Sequence, residues 1–407
     1  MNILKISWKN ILDKALTNGL SMLLMALGVG IIALIISLGK ELDEKFTKNI
    51  KGIDMVVGAK GSPLQLILSS IYQIDAPTGN ISFAEANTMA RNPFIKKAIP
   101  IAMGDSYLGY RIVGTDSSYL AHYQSTVAEG KLFQNEMECV IGQTLAQKLN
   151  LKIGQKIASA HGLDKEGEKH DDVKYTITGI LAYNNSVLDQ LIITPLASVW
   201  HVHEHEQNES NALELLEEKP AAEATENKQI TAMLVKFRNP MGLMTIPRNI
   251  NANTTMQAAL PAIEINRLFS LMGIGLDTLK WIAFLIIFVS GLSVFVSLYN
   301  SLKERKYEMA LMLSMGATRL KLFILLLLEG LIIGLTGFII GMIMSKLALF
   351  AISKTAEESF HYQFKMFAFS IDELLILLAC IAISIFAAAI PSLGIYKINI
   401  SKTLASQ

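Results

Sequence analysis

The run "LKERKYEMALMLSMGATR", residues 302–319, packs opposite charges beside an apolar patch. Glu304, Arg305 and Glu308 precede "MALMLSM", in which five of seven residues are Met or Leu. Such a group suits contact rather than bond-making, because a connecting segment without a partner is ordinarily polar. Leu302, Lys306, Met309 and Leu313 share one helical face at i, i+4, i+7 and i+11. Gly316 is a natural C-terminal stop, Ala317 follows it, and Thr318 is a plausible N-cap for a helix restarting at Arg319. Met312 and Met315 are the side chains expected to bury against a partner, each contributing about 1.5 to 3 kcal/mol if fully covered.

A second group is "HVHEHE", where His201, His203 and His205 alternate. An extended chain turns all three imidazoles to one side, whereas a helix aligns only His201 with His205. Neutral imidazoles with Glu204 or Glu206 are a donor set for Zn²⁺ or Cu²⁺, and Zn²⁺ is the candidate ion. The tract opens residues 201–229, which hold eight Glu against two Lys and no aromatic residue. That composition predicts a solvated insertion, with one short helix at "NALELLEE" and no supporting shell for a tight metal site.

Motifs for covalent or nucleotide chemistry are missing. No G-x-x-x-x-G-K-[ST] loop occurs, and "GAKGS" at Gly58 lacks its spacing. "GVGIIA" at Gly28 matches a dinucleotide pattern formally but lies inside an apolar span without a preceding strand. The zincin pattern H-E-x-x-H fails at Gln207, and no G-x-S-x-G elbow is found. The chain is therefore expected to be non-catalytic and to hold no nucleotide itself.

The elements that position these groups are membrane helices. Of 407 residues, 51% are hydrophobic and 17% charged. Ala15–Gly39, Trp281–Leu302, Leu322–Ser345 and Leu374–Tyr396 are free or nearly free of charge, and each exceeds the roughly 20 residues that cross a bilayer. The first run is too long for a signal-peptide core and reads as a retained anchor. Lys5, Lys9 and Lys14 precede span one; Lys303, Arg305, Lys306, Arg319 and Lys321 lie between spans two and three; Lys397 and Lys402 follow span four. Basic flanks stay cytoplasmic, so both ends lie inside and residues 40–280 lie outside.

The organisation is thus an N-terminus and span one over 1–39, an external α/β domain over 40–280 and a three-span portion over 281–407. Residues 40–60 read as a helical stalk ending near Gly52, and "YRIVGTD", "KYTITGIL", "LIITPL" and "TAMLVKF" as strands. Leu145, Leu149 and Ile153 predict a helix stopped by Gly154. Cys139 is external and Cys380 lies in span four, so no disulfide forms within the domain. Inside the spans only Glu329 is ionisable, and its expected partner is a Ser or Thr of another span. Gly330/Gly334 and Gly337/Gly341 are spaced for close helix packing.

The segment "LKERKYEMALMLSMGATRLKLFILLLLEGLIIGLTG" resembles the FtsX/MacB/LolC-type ABC transporter permeases, whose pattern E-R-x-x-E-I-G-x-x-x-A-x-G-A precedes a span with an E-G or E-A pair. Glu304, Arg305, Glu308, Gly316, Ala317 and Glu329 occupy matching positions. "AAAIPSLGIYKINISKTLA" resembles the family's exit from its last span, and "EGKLFQNEMECVIGQTLAQKLNLKIGQKI" its periplasmic core domain. Met309 and Ala310 replace the family's Ile-Gly.

The resemblance implies a multi-pass protein of a bacterial inner membrane. Residues near Met309 to Arg319 would form a coupling helix on a separate cytoplasmic ATPase dimer that carries ATP and Mg²⁺. A second permease chain completes the assembly, a homodimer being expected; a periplasmic partner is compatible and nucleic acid is not. The implied work is export or extraction of a lipoprotein, peptide or small hydrophobic substrate. The alternatives are switching of an external partner such as a cell-wall hydrolase, and a metal-responsive variant.

Overall fold

The computed structural model describes residues 3–161, 169–202, 228–360 and 371–405. The chain forms two compact units, one from residues 1–43 and 271–407 and the other from residues 44–270.

Among the described residues four helices are long and apolar enough to cross a membrane: Ala15–Ile50, Pro261–Glu304, Arg319–Phe360 and Ile371–Ser392; the first unit holds the last two and residues 15–43 and 271–304 of the first two. A helix at Ile3–Asp13 precedes them, and Leu393–Lys397 and Ile400–Ala405 follow. The glycines of span three divide their work between two neighbours. A Cβ on Gly330 would stand 2.6 Å from Ala388 Cβ, and one on Gly334 would collide with Ser384 Oγ, both in span four. On the next turns, a Cβ on Gly337 would stand 2.7 Å from Met25 Cβ and one on Gly341 would stand 2.6 Å from the Ala26 carbonyl oxygen, both in span one. Small residues let helices approach where lipid supplies no hydrophobic drive between them.

Spans one and two add a polar seam. Ser297 donates to Asn18 Oδ1 at 2.9 Å, Ser21 and Ser293 hydroxyls meet at 2.8 Å, and Ser290 donates to the Ser21 carbonyl at 3.3 Å.

The second unit is a mixed α/β domain. Its strands are β1 (Met55–Ala59), β2 (Ile81–Ser82), β3 (Ile95–Tyr107), β4 (Tyr110–Thr115), β5 (Val127–Gly130), β6 (Glu138–Ile141), β7 (Lys156–His161), β8 (Lys169–Leu181), β9 (Ile192–Pro195), β10 (Gln229–Ile230), β11 (Ala232–Phe237) and β12 (Met256–Ala259). The main sheet runs β12-β1-β11-β3-β4-β9-β6-β8-β5, and β7 pairs with both β3 and β8.

Strand β3 is long enough to serve two structures. Its first half pairs with β11 in an open sheet, and its second half enters a closed ring, β3-β4-β9-β6-β8-β7. Ring closure removes edges that would otherwise invite strand addition. Ile112, Cys139, Ile141, Leu145, Ile157 and Tyr175 form one buried cluster around it.

The four expected strands are present. The stalk helix ends at Ile50, beside the expected stop at Gly52, which turns the chain at φ +85° before β1 begins at Met55. The helix expected to reach Gly154 ends at Leu149, because Asn150 takes the left-handed conformation at φ +51°. Ile153 is therefore off the helix, and Gly154 instead serves the turn into β7 at φ +84°.

Candidate functional site

The charged helix begins at a joint. Span two ends at Glu304, Arg305 leaves helical geometry, and a new helix runs over Lys306–Ser314. This kink corrects the single face expected for Leu302, Lys306, Met309 and Leu313: Lys306 is exposed, whereas Met309 is 1% exposed. Arg305 explains where the joint is fixed. Its guanidinium donates to Asp13 Oδ2 at 3.1 Å and stands 4.0 Å from Glu308, while Lys14 meets Glu304 at 2.5 Å. Two consecutive residues at the end of span two are thus tied to the N-terminal helix and the residue after it.

The exit is equally defined. Gly316 adopts φ +93°, its N–H donates to the Leu313 carbonyl at 3.1 Å, and the Ala317 N–H reaches the Met312 carbonyl at 2.9 Å. That paired closure is a Schellman turn, which needs a residue free to take positive φ. Thr318 Oγ1 then accepts from the Lys321 N–H at 3.3 Å, capping span three. Arg319 donates to the Tyr396 carbonyl at 2.8 Å, holding the end of span four beside the turn.

Beneath the short helix, Met309 and Ala310 pack with Leu322, Leu325, Leu326, Ile395 and Ile398, and Met312 and Leu313 sit at the margin. Met309 is therefore part of the platform and not of the surface above it. The exposed apolar side chains are Tyr307 at 40%, Leu311 at 45% and Met315 at 80%, flanked by Lys306 and Glu308. Leu311 and Tyr307 were not singled out in the sequence, because the face each occupies depends on the break at Arg305.

Glu329 is 3% exposed, and its Oε1 accepts from Asn10 Nδ2 at 2.5 Å. Its partner thus comes from the N-terminal helix and not from a Ser or Thr of another span. Ser7 of that helix also donates to the Leu325 carbonyl at 3.3 Å. Near the other end of span three, Lys346 meets Glu373 at 2.5 Å, and Lys40 lies 3.8 Å from Asp372. Lys346 and Glu373 stand just beyond the charge-free stretches of spans three and four, so counting charges within the spans does not pair them.

His201 lies in a helix described over 196–202, while His203, His205 and "NALELLEE" fall outside the described residues. Among the described residues no three His, Cys, Asp or Glu side chains are grouped to hold a metal. Cys139 is buried, which pushes its thiol up to about 12.

A family model for the MacB-like periplasmic core domain matches residues 19–239, and one for the FtsX-like permease C-terminal matches residues 281–400. Among solved structures, the periplasmic region of MacB from Actinobacillus actinomycetemcomitans aligns at 11% identity and a TM-score of 0.33, over 55% of this chain and 97% of that one. The extracellular domain of the noncanonic ABC-type transporter YknZ from Gram-positive bacteria aligns at 13% identity and a TM-score of 0.32, over 50% of this chain and 98% of that one. Comparison with curated proteins gives no match.

Proposed function

We propose, from the premise that the chain belongs to the FtsX/MacB-type ABC transporter permeases, that it transmits ATP-driven motion from a cytoplasmic ATPase to its external domain. Permeases of this family are membrane-embedded and work with a cytoplasmic ABC ATPase. The four apolar helices and the periplasmic-domain family make this a multi-pass membrane protein with an extracellular domain. In our reading the membrane is a bacterial inner membrane, two copies of the chain assemble with two ATPase subunits, and the cargo is a lipoprotein, peptide or small hydrophobic molecule.

The observation that carries this reading is the fastening of the Lys306–Ser314 helix. Arg305 at its entrance, the Gly316 turn at its exit and the Met309 platform beneath leave Tyr307, Leu311 and Met315 facing outward on a fixed support. A push on such a helix displaces the ends of spans two and three together, because it joins them through short, hydrogen-bonded turns. Met312, Leu313, Ala317, Thr318 and Arg319 set its pose, and the three outward side chains are the contact.

Leu311→Asp combined with Met315→Asp should remove the ATPase from detergent extracts while leaving the permease's elution and thermal unfolding unchanged. Losing one such buried contact costs about 1.5 to 3 kcal/mol, at least roughly tenfold in occupancy. Undiminished ATPase binding, or ATP hydrolysis by the purified chain alone, would refute the reading.

A further inference from the structure

Lys97 on β3 and Lys236 on β11 stand directly opposite each other in the antiparallel register. Like charges in that position repel, and among the described residues neither has a carboxylate within ion-pair reach. His122, closing the helix Ser117–His122, is the third basic group on the same cleft. Gly52 forms the remaining side: a Cβ there would stand 3.2 Å from His122 Cε1 and 3.5 Å from Lys236 Nζ. The cleft opens to solvent, with Ile99 and Leu234 among its apolar lining. All of these residues belong to the α/β unit.

The arrangement is built rather than incidental. Lys97 Nζ is oriented by donating to the Ser118 carbonyl at 2.8 Å, which leaves two of its protons available. The His122 ring is set edge-on against Tyr123, with centroids 4.9 Å apart. Burial first, then Lys97 and Lys236, hold the imidazole below its usual range, so the three groups are mutually unfavourable as cations. An apolar lining strengthens both that repulsion and the attraction of any anion that relieves it.

We propose that this cleft binds a phosphate group, borne either by a soluble ion or by a lipid headgroup. A phosphate carries about −1.5 to −2 charges near neutral pH and several acceptor oxygens, which suits donors converging from three separate elements. Gly52 supplies the space at the cleft's fourth side that a side chain would fill.

The test uses the intact chain in zwitterionic nanodiscs, with inorganic phosphate titrated at constant ionic strength against chloride and thermal unfolding as the readout. The expected result is a saturable rise in Tm with phosphate and none with chloride or acetate. In Lys97→Gln/Lys236→Gln the half-saturating phosphate concentration should rise at least tenfold, while Tm in chloride stays level or increases because a repulsion has been removed. Lys236→Gln alone, at an exposed position, should give a smaller loss of the response in a protein that folds normally. Nanodiscs containing phosphatidylglycerol assign the source: a higher Tm without added phosphate supports a headgroup, and an unchanged one supports a soluble phosphate. An equal shift with chloride or acetate, or an unaltered half-saturation in the double variant, would overturn the proposal.

Discussion

The α/β domain and the helical bundle both bury aliphatic side chains, but they differ in what they leave outside and in what the helices add between them. In the domain the cores are large side chains, with Leu66, Ile67, Ile101, Tyr119 and Leu145 removed from solvent. The bundle buries Met25, Val29 and Leu298, and to these it adds Gly330, Gly334, Gly337 and Gly341, which have no room for a Cβ, and the hydroxyl contacts of Ser21, Ser290, Ser293 and Ser297. Large residues of the bundle such as Trp281, Phe284 and Phe288 point outward instead. The surrounding medium explains the difference. Water expels aliphatic surface from the domain's exterior, whereas hydrocarbon tolerates it, leaving close packing and buried polar pairs to bind helices.

The largest effect should follow from truncating a water-excluded core residue. Leu145→Ala, at a position with 0% exposure, is expected to cost about 2 to 5 kcal/mol in denaturant unfolding of the intact chain. Phe288→Ala removes more atoms from a residue 68% exposed in the bundle, yet should leave stability in bilayer nanodiscs nearly unchanged. Equal losses at the two positions would break the comparison.

A bundle glycine should show the converse sensitivity. Gly341→Val places a side chain against the Ala26 backbone, which yields less easily than a side chain would, and overpacking of this kind costs about 1 to 3 kcal/mol. Crosslinking between cysteines placed on spans one and three should fall in that variant. Unaltered crosslinking would show that the helices have room to separate.

The smallest effect is expected at Glu329. Glu329→Gln keeps an acceptor for Asn10 Nδ2, and membrane side-chain hydrogen bonds average only about 0.6 kcal/mol. Assembly and transport should both persist, while Glu329→Leu should loosen the N-terminal helix, read as faster proteolysis near Asn10. Lost transport in the Gln variant with intact assembly would assign the carboxyl a proton-carrying role.

What was legible in the sequence follows the same division. The spans, the strands "YRIVGTD" and "TAMLVKF", and the stop at Gly316 could be read because each depends on residues adjacent in the chain. Contacts set by distant residues could not. Nothing near Glu329 indicates Asn10, and charge-free counting placed Lys346 and Glu373 outside the spans whose helices bring them together. Lys306 leaves the face that Leu302, Met309 and Leu313 keep, because a one-residue break at Arg305 interrupts the helix. Leu149 and Ile153 had the right spacing for a helix that Asn150 had already ended, a local conformational preference outweighing apolar periodicity.

Strand β3 also sets an order of events during synthesis and export. Every strand of the closed ring lies between Ile95 and Pro195, so its pairings become available once that stretch has emerged. The open half has to wait, because β11 inserts between β1 and β3 and is encoded far downstream of both. Met55, among the first residues of the domain to emerge, finds its partner only when Val235 arrives. Until then β1 and the outer edge of β3 are unpaired hydrophobic strands, the interval in which a nascent chain is exposed to aggregation and has most to gain from a chaperone.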